Sequence, residues 1–167
     1  MGRSAESEFR LGFFASLDLQ GQGVVGGMLV TTPTGRPLEF QCSLPVKPNK
    51  TQEILYGPTL KPFVIGELIV KTLIDRLTVK PSLLLTQETE ALSSAEVLGL
   101  PVVTFCDPEK ATAQQFRTWK IESAPQQMAE QALQQLEELL PSNVDVTEPI
   151  ERVIDALKET MSNTSAA

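Results

Sequence analysis

Residues 60–86, LKPFVIGELIVKTLIDRLTVKPSLLLT, decide the fold, because they predict one long apolar helix followed directly by a buried strand. Apolar residues recur at three- and four-residue steps from Leu60 to Leu77, which is the spacing of a wide helix face that packs on a sheet. The step Lys80-Pro81 ends this pattern. The run Leu83–Leu85 then predicts a short strand covered on both faces.

Three strands are predicted before this helix. Residues 11–19 form a largely apolar run, a glycine-containing turn follows at 20–23, and residues 24–32 continue as a second strand. After a turn at 32–35, apolar and polar residues alternate, so that one face of the third strand is predicted to be buried. The apolar members of that face are Leu38, Phe40, Cys42 and Leu44.

Shorter elements are predicted after residue 86. They are a short helix over Glu88 to Leu98, a buried strand over Pro101 to Cys106, and two amphipathic helices separated by Pro141. The apolar stripes of the two helices are Ala129, Leu133, Leu136 and Leu140, and Ile150, Val153, Ile154, Leu157 and Met161. A chain of 167 residues supports one core, so we expect a single α/β domain over 11–161, with disordered segments at 1–10 and 162–167.

The charge of the chain is uneven. Its net charge of -7 belongs to the second half, because residues 1–80 carry nine Lys and Arg against seven Asp and Glu, and residues 81–167 carry five against fourteen. A negative chain is repelled from phosphate backbones and anionic membranes, so nucleic acid is an unexpected partner. The basic group Arg36, Lys47, Lys50 and Lys61 is either a shallow anion-binding surface or ordinary solvated loop charge.

Cysteines and aromatic residues add few candidate functions. Cys42 and Cys106 are too few for a disulfide framework, which favours a reducing, cytoplasmic setting, and no window approaches the roughly 18 apolar residues of a membrane span. Cys106 precedes Asp-Pro, but a nucleophilic cysteine needs a base and the chain has no histidine. Trp119 is either a stacking surface or a partly buried anchor.

A family resemblance runs from Leu55-Tyr56-Gly57-Pro58 through Glu67 on the helix to Lys80-Pro81 and the apolar strand after it. It is similar to the endonuclease V run of a tyrosine, a proline-glycine pair, a helix-borne glutamate and an apolar strand, with glycine and proline inverted. Together with the order of elements over residues 11–140, it resembles the ribonuclease H-like superfamily. The resemblance implies a mixed five-stranded sheet, three antiparallel strands and then two parallel ones, flanked by helices. The chain also resembles an uncharacterised bacterial family, which implies no activity.

The resemblance also implies a metal site. In that fold, carboxylates on the first strand, on the long helix and at the end of the fourth strand bind a divalent metal, which positions a water and offsets charge on the phosphate. The matching residues are Asp18, Glu67 and, displaced from the strand end, Glu88. The histidine motif that follows in endonuclease V is absent, because the chain has no histidine. Mg²⁺ or Mn²⁺ is the implied ion.

Each of these carboxylates also has a plain structural interpretation. Asp18 precedes a turn whose amides it can bond, and Glu67 begins a Glu67-Lys71-Asp75 ladder typical of a solvated helix face. Glu88 lies at the start of a short helix, where a negative charge complements the helix dipole. Both interpretations stay open for all three residues at this stage.

Two functions follow. The first is a non-catalytic or degenerate ribonuclease H-like domain without a resident cofactor, which pairs with itself or another protein through a sheet edge or the acidic C-terminal helices. The missing third ligand and the leucine-rich helices favour it. The alternative is a divalent-metal-dependent nuclease or phosphoesterase that uses Asp18, Glu67 and Glu88 with Mg²⁺ or Mn²⁺, and only the topology favours it.

Overall fold

The computed structural model describes residues 9–106, 109 and 114–166, and it contains a mixed sheet of seven strands flanked by helices. The strands lie in the order β3-β2-β1-β4-β5-β7-β6. Their bounds are β1 Leu11–Asp18, β2 Val24–Thr31, β3 Pro37–Cys42, β4 Leu83–Thr86, β5 Val102–Cys106, β6 Gln114–Phe116 and β7 Trp119–Ala124. The predicted α/β class and mixed sheet are confirmed. The predicted count of five strands is too low, because β6 and β7 extend the sheet beyond β5.

Five helices accompany the sheet in the described part of the chain, with 3₁₀ segments at Gly57–Thr59 and Thr89–Ser94. They are α1 Lys50–Tyr56, the long helix α2 over 60–76, α3 Ala95–Leu98, α4 Gln126–Leu139 and α5 Glu148–Ala166. The long helix was predicted, but α2 has a π-helical centre, Phe63–Val70, between α-helical ends at Leu60–Pro62 and Lys71–Arg76. The helix α1 was not predicted, although Asn49 and Gln52 form a capping box at its start.

Strand β1 is the centre from which the sheet is built. It pairs antiparallel with β2, from Leu11 opposite Thr31 to Asp18 opposite Val24, and parallel with β4, with Phe14 opposite Thr86. Strand β4 pairs parallel with β5 in turn. The carboxyl ends of β1, β4 and β5 therefore lie at the same edge of the sheet.

Hydrophobic cores cover both faces of the sheet. Phe13 on β1 packs with α4 and α5 on one face, where Leu136 and Leu157 are fully buried. Phe14, the next residue, packs with α2 on the other face, where Leu73 is fully buried. Because side chains alternate along a strand, Ser16 and Asp18 share the α2 side of β1 with Phe14.

The buried face predicted for β3 is wrong at both ends. Leu38 and Leu44 are 40% and 77% exposed, whereas Phe40 and Cys42 are half-buried against the core that contains α4 and α5. The physical reason is position: β3 is the edge strand, and it ends at Cys42, so that Leu44 lies beyond the ladder. An edge strand has a neighbour on one side only, which leaves its ends open to water.

The described residues extend beyond both predicted ends of the domain. Phe9 is buried in the core, and α5 runs to Ala166. The other residues predicted to be disordered, 1–8 and 167, lie outside the described residues. Among the helices that are described, none is both long and apolar enough to cross a membrane.

Candidate binding cavity at the ends of β1 and β4

A cavity of about 710 Å³ opens where β1 and β4 end, on the α2 side of the sheet. Ser16 and Asp18 reach it from β1, and Glu88 reaches it from the segment after β4. The rest of the wall comes from α2, from the loop before α1, from α1 and the 3₁₀ segment after it, and from the β1–β2 turn with the start of β2. Since parallel strands end at the same edge, the fold itself brings Asp18 and Glu88 to one site.

The loop that closes one side of the cavity depends on Gly23. Val24 and Val46 exchange backbone hydrogen bonds of 2.9 and 2.8 Å, which hold residues 46–48 against the β1–β2 turn. Gly23 has a φ of +104°, and a Cβ there would lie 2.6 Å from the carbonyl oxygen of Val46. Only glycine permits both the conformation and the approach.

Glu88 is the half-buried carboxyl of the cavity. The Ser16 hydroxyl donates a hydrogen bond to Oε1 of Glu88, and the Glu88 backbone N–H donates to the Thr86 hydroxyl at 3.1 Å. The other carboxyl oxygen, Oε2, is buried and has no hydrogen-bond partner among the described residues. Burial raises the pKa of Glu88 above its ordinary value, the charge of Glu90 raises it further, and the Ser16 bond and Lys61 oppose the shift.

Asp18 lines the same cavity but faces water. Its side chain is exposed, and Oδ1 accepts a hydrogen bond of 2.9 Å from the backbone N–H of Gln20. Gln20 adopts a positive φ of 48°, so this bond supports a tight turn. Asp18 therefore has the turn role that its sequence position suggested, and it also contributes a negative charge to the rim of the cavity.

Glu67 does not join Asp18 and Glu88. It is exposed on the π-helical part of α2 and is not among the residues that line the cavity, whereas Val64 and Ile65 are. Further along the same ladder, Lys71 and Asp75 form an ion pair of 3.0 Å. Within the described residues, no group of three or more His, Cys, Asp or Glu is placed to hold a metal ion.

Basic residues also reach the cavity. Of the predicted basic group, Lys47 and Lys61 line it, and both are exposed. Lys61 Nζ lies 3.3 Å from Oε1 of Glu90, which is outside the lining. Part of the positive charge near the mouth is therefore already neutralised by the protein.

The remaining candidates have structural partners. Cys106 Sγ lies 3.6 Å from a carboxyl oxygen of Glu122, while Asp107 and Pro108 lie outside the described residues. Trp119 is half-buried and meets Phe105 edge-on, with ring centroids 6.0 Å apart, which supports its interpretation as an anchor. The residue that sequence reasoning missed is Ser16. Its signal was a polar residue in an apolar strand, two positions before Asp18 and so on the same face.

Comparison of the whole fold with solved structures supports the architecture. Human endonuclease V matches with a TM-score of 0.57 at 14% identity, over 95% of this chain and 86% of that chain. The chain has a ribonuclease H-like fold. Argonaute of Marinitoga piezophila, solved with a 5′ OH guide RNA, matches with a TM-score of 0.42 at 12% identity over 90% of this chain and 30% of that one. Endonuclease V of Ciona intestinalis, solved with an inosine-containing DNA, matches with a TM-score of 0.35 at 14% identity, over 60% of this chain and 47% of that chain.

Sequence comparisons give no family. No protein-family model matches the chain, and no curated protein matches it. At 14% identity the likeness to human endonuclease V concerns the fold alone. The chemistry of the cavity has to be argued from its own side chains.

Proposed function

We propose that this chain is a non-catalytic ribonuclease H-like domain that acts by binding, with a second copy of itself or another protein as its partner. The supporting observation is the state of Glu88, whose carboxyl is half-buried, bonded to the Ser16 hydroxyl and shifted toward its protonated form. A catalytic metal site needs the opposite, namely several ionised oxygen ligands that converge on one point.

The residues present do not fit a catalytic Mg²⁺ or Mn²⁺ well. Asp18 uses Oδ1 to accept the turn amide of Gln20, and Glu67 lies away from the cavity on the exposed side of α2. Glu88 alone offers a buried carboxyl oxygen without a partner among the described residues. One such oxygen is fewer than the coordination of either ion requires from protein, substrate and water in a catalytic arrangement.

The edge strand β3 is the surface we favour for the partner. The apolar stripes of α4 and α5 are mostly buried in the core, as Leu133, Leu136 and Leu157 are, so these helices have little apolar surface to offer. By contrast, the three most exposed large apolar residues in the described chain follow β3 in sequence, namely Leu44 in the loop and Ile54 and Leu55 on α1, and Leu38 on β3 itself is 40% exposed. An exposed edge with apolar residues is a template for pairing with another chain.

The alternative function is a divalent-metal-dependent nuclease that uses Asp18, Glu67 and Glu88. The likeness to human endonuclease V favours it, as does the shared position of Asp18 and Glu88 on one cavity. It would require α2 to turn Glu67 toward the cavity. We propose the cytoplasm as the setting in either case, because two cysteines are too few for a disulfide framework.

Calorimetric titration with Mn²⁺ separates the two functions. For a non-catalytic domain we expect no saturable binding in the wild type, and no hydrolysis of single-stranded DNA or RNA with Mn²⁺ present. Asp18→Asn and Asp155→Asn, a matched change at an exposed position on α5, should then behave alike. Saturable binding that Asp18→Asn abolishes and Asp155→Asn retains would establish the nuclease alternative.

The partner surface has its own test. If β3 pairs with a second copy, light scattering should give a dimer whose mass falls to that of the monomer in Leu38→Lys, because a charge on the edge opposes strand pairing. Met128→Lys, at a similarly exposed apolar residue on α4, serves as the control. A wild-type monomer would exclude self-pairing and leave another protein as the partner.

A further inference from the structure

The helix α1 is well defined although none of its seven residues is buried. At its start, the Gln52 N–H donates to the Asn49 side chain at 2.8 Å, and the Asn49 N–H donates to the Gln52 side chain at 2.9 Å. At its end, the Tyr56 ring stacks on Phe63 of α2, with ring centroids 4.5 Å apart. The helix is therefore capped at its start and anchored to α2 at its end.

The two sides of α1 have different surroundings. Successive residues of a helix are about 100° apart, so Glu53 and Tyr56 share one side. That side is turned to the protein, because Glu53 lines the cavity and Tyr56 stacks on α2. The opposite side, which we call the outer face of α1, carries four exposed residues: Lys50, Thr51, Ile54 and Leu55. Two of them are large and apolar, and they are 70% and 78% exposed, which is typical of an interaction surface.

The outer face of α1 is complementary to itself when two copies of the helix run antiparallel. If a two-fold axis lies midway between residues 52 and 53, Lys50 is opposite Leu55 of the second copy and Thr51 is opposite Ile54. The aliphatic stem of Lys50 then covers Leu55. The two lysines are about 7.5 Å apart along the helix axis, at 1.5 Å per residue, so like charges do not face each other.

The charge at the end of α1 favours the same arrangement. There is no basic residue in the last turn of α1. A cation beside the last turn of a helix stabilises it, because the partial charge of the helix is negative there. In the antiparallel pair, Lys50 of each copy brings a cation to the last turn of the other copy. A parallel pair would instead place the two Lys50 side chains together.

We propose that the outer face of α1 pairs antiparallel with the outer face of a second copy of this chain, which leaves the edge strand β3 to another protein. The inference rests on the proposed binding function in one respect, since it assigns the two partners named there to two surfaces. A symmetric pair closes on itself, so the assembly stops at two copies. Two large apolar side chains per copy are few beside the roughly 20–30 residues a side of a stable interface, so we expect a weak dimer.

Other surfaces of a second copy match the outer face of α1 less well. The helices α4 and α5 are acidic and attract Lys50, but among the described residues Met128 is their one large apolar side chain that is exposed. The strand β3 offers its backbone edge, and a regular helix has no free backbone groups along its side to pair with it. The outer face itself supplies both the apolar residues and the charge.

The test is sedimentation velocity of the full chain from about 10 μM to about 1 mM, the range in which weak complexes associate. We expect the average mass to rise toward that of a dimer. Ile54→Lys should raise the dissociation constant by at least about tenfold, because it places a second ammonium group in the apolar centre of the pair. Val97→Lys, at an apolar residue of α3 that is 58% exposed, adds the same charge elsewhere and should leave the dissociation constant unchanged.

The charge of Lys50 and the direction of the pair are tested separately. Lys50→Glu should raise the dissociation constant by at least about threefold, because it puts an anion beside the last turn of the other copy. In an equal mixture of labelled and unlabelled wild type, isotope-filtered NOE spectra should connect the methyl groups of Leu55 in one copy to the Lys50 side chain of the other. Contacts between the two Lys50 side chains in their place would contradict the antiparallel pair.

The outcomes separate this inference from the proposed function. A mass that stays monomeric up to about 1 mM, or equal dimerisation of Ile54→Lys and Val97→Lys, would overturn the inference and leave binding of another protein standing. A dimer lost in Leu38→Lys but kept in Ile54→Lys would also overturn it, because self-pairing would then lie at β3. Mn²⁺-dependent hydrolysis by a chain that still dimerises through α1 would overturn the non-catalytic function and support the pairing.

Discussion

Removal of the Ser16 hydroxyl tests whether the bond to Glu88 organises the cavity. Hydrogen bonds to charged groups contribute about 1.5–3 kcal/mol, and those between neutral groups about 0.5–1.5 kcal/mol. Ser16→Ala should therefore lower the free energy of unfolding by about 2 kcal/mol when Glu88 is ionised, a state that high pH favours. In a Glu88→Gln background the same change removes a neutral bond and should lower it by about 1 kcal/mol. The expected coupling between the two positions is about 1 kcal/mol.

The effect should also depend on pH. Burial raises the pKa of Glu88 in the folded state, so the folded chain holds this proton more tightly than the unfolded chain does. The contribution of Glu88 to stability is then fully present below the ordinary value of 4.5, and it is lost as pH rises through the raised pKa. Glu88→Gln has no titrating carboxyl at this position and so does not lose stability in this way. The free energy of unfolding of the variant, relative to that of the wild type, should therefore increase from pH 4 to pH 8.

Urea unfolding of the wild type, both single variants and the double variant, at pH 4 and pH 8, measures both effects. A coupling energy within about 0.3 kcal/mol of zero at pH 8 would refute the reasoning, because the free-energy changes of mutations at independent sites add to within about that amount. Coupling that does not fall at pH 4 would show that the charge of Glu88 is not what the hydroxyl stabilises.

Three further changes test other contacts. Gly26→Ala should lower the free energy of unfolding by about 1–3 kcal/mol in urea, because its Cβ would lie 2.9 Å from a ring carbon of Phe14 in a filled core; an unchanged midpoint would contradict this packing. Arg117→Lys should lower it by about 1–2 kcal/mol, since the guanidinium bonds a carboxylate and two carbonyls at the end of α4, each at 3.0 Å, and a lysine cannot make all three; equal stability would count against it. Ser16→Asp should place a second carboxylate beside Glu88 and destabilise the fold by about 2 kcal/mol without metal, and Mn²⁺ should raise the melting temperature of this variant but not of the wild type.

The sequence predicted the elements whose apolar pattern is long or regular. The three-strand N-terminal sheet, α2, β4, β5 and the last two helices follow from periodicity and from glycine and proline positions. Strand β7 was missed although Trp119, Ile121 and Ser123 alternate with Lys120, Glu122 and Ala124, because six residues with two charges give a weak pattern. Its burial comes from pairing with β5, which is a tertiary contact.

Glu67 is exposed, as the predicted solvated helix face implies, but the buried face of α2 was predicted less well, because the centre of α2 is not α-helical. Leu68 is one of the apolar residues between Leu60 and Leu77 that were predicted to face the sheet, but it is 37% exposed. The pairs Val64-Ile65 and Ile69-Val70 are buried. These pairs are five residues apart, which matches the i to i+5 spacing of a π-helix. A pattern with 3.6 residues per turn therefore assigns Leu68 to the buried face, whereas the structure exposes it.

The residue beside Glu88 decides what the Glu88 carboxyl can do at this site. Strand order brings the ends of β1 and β4 together, and this part of the site followed from the order of elements in the sequence. The Ser16 hydroxyl, which is uncharged, donates a hydrogen bond to the Glu88 carboxyl. Two carboxylates at this point would repel each other unless a cation lay between them, so such a site would depend on metal. With a hydroxyl as its neighbour, Glu88 instead accepts a hydrogen bond from the fold itself, through the Ser16 side chain.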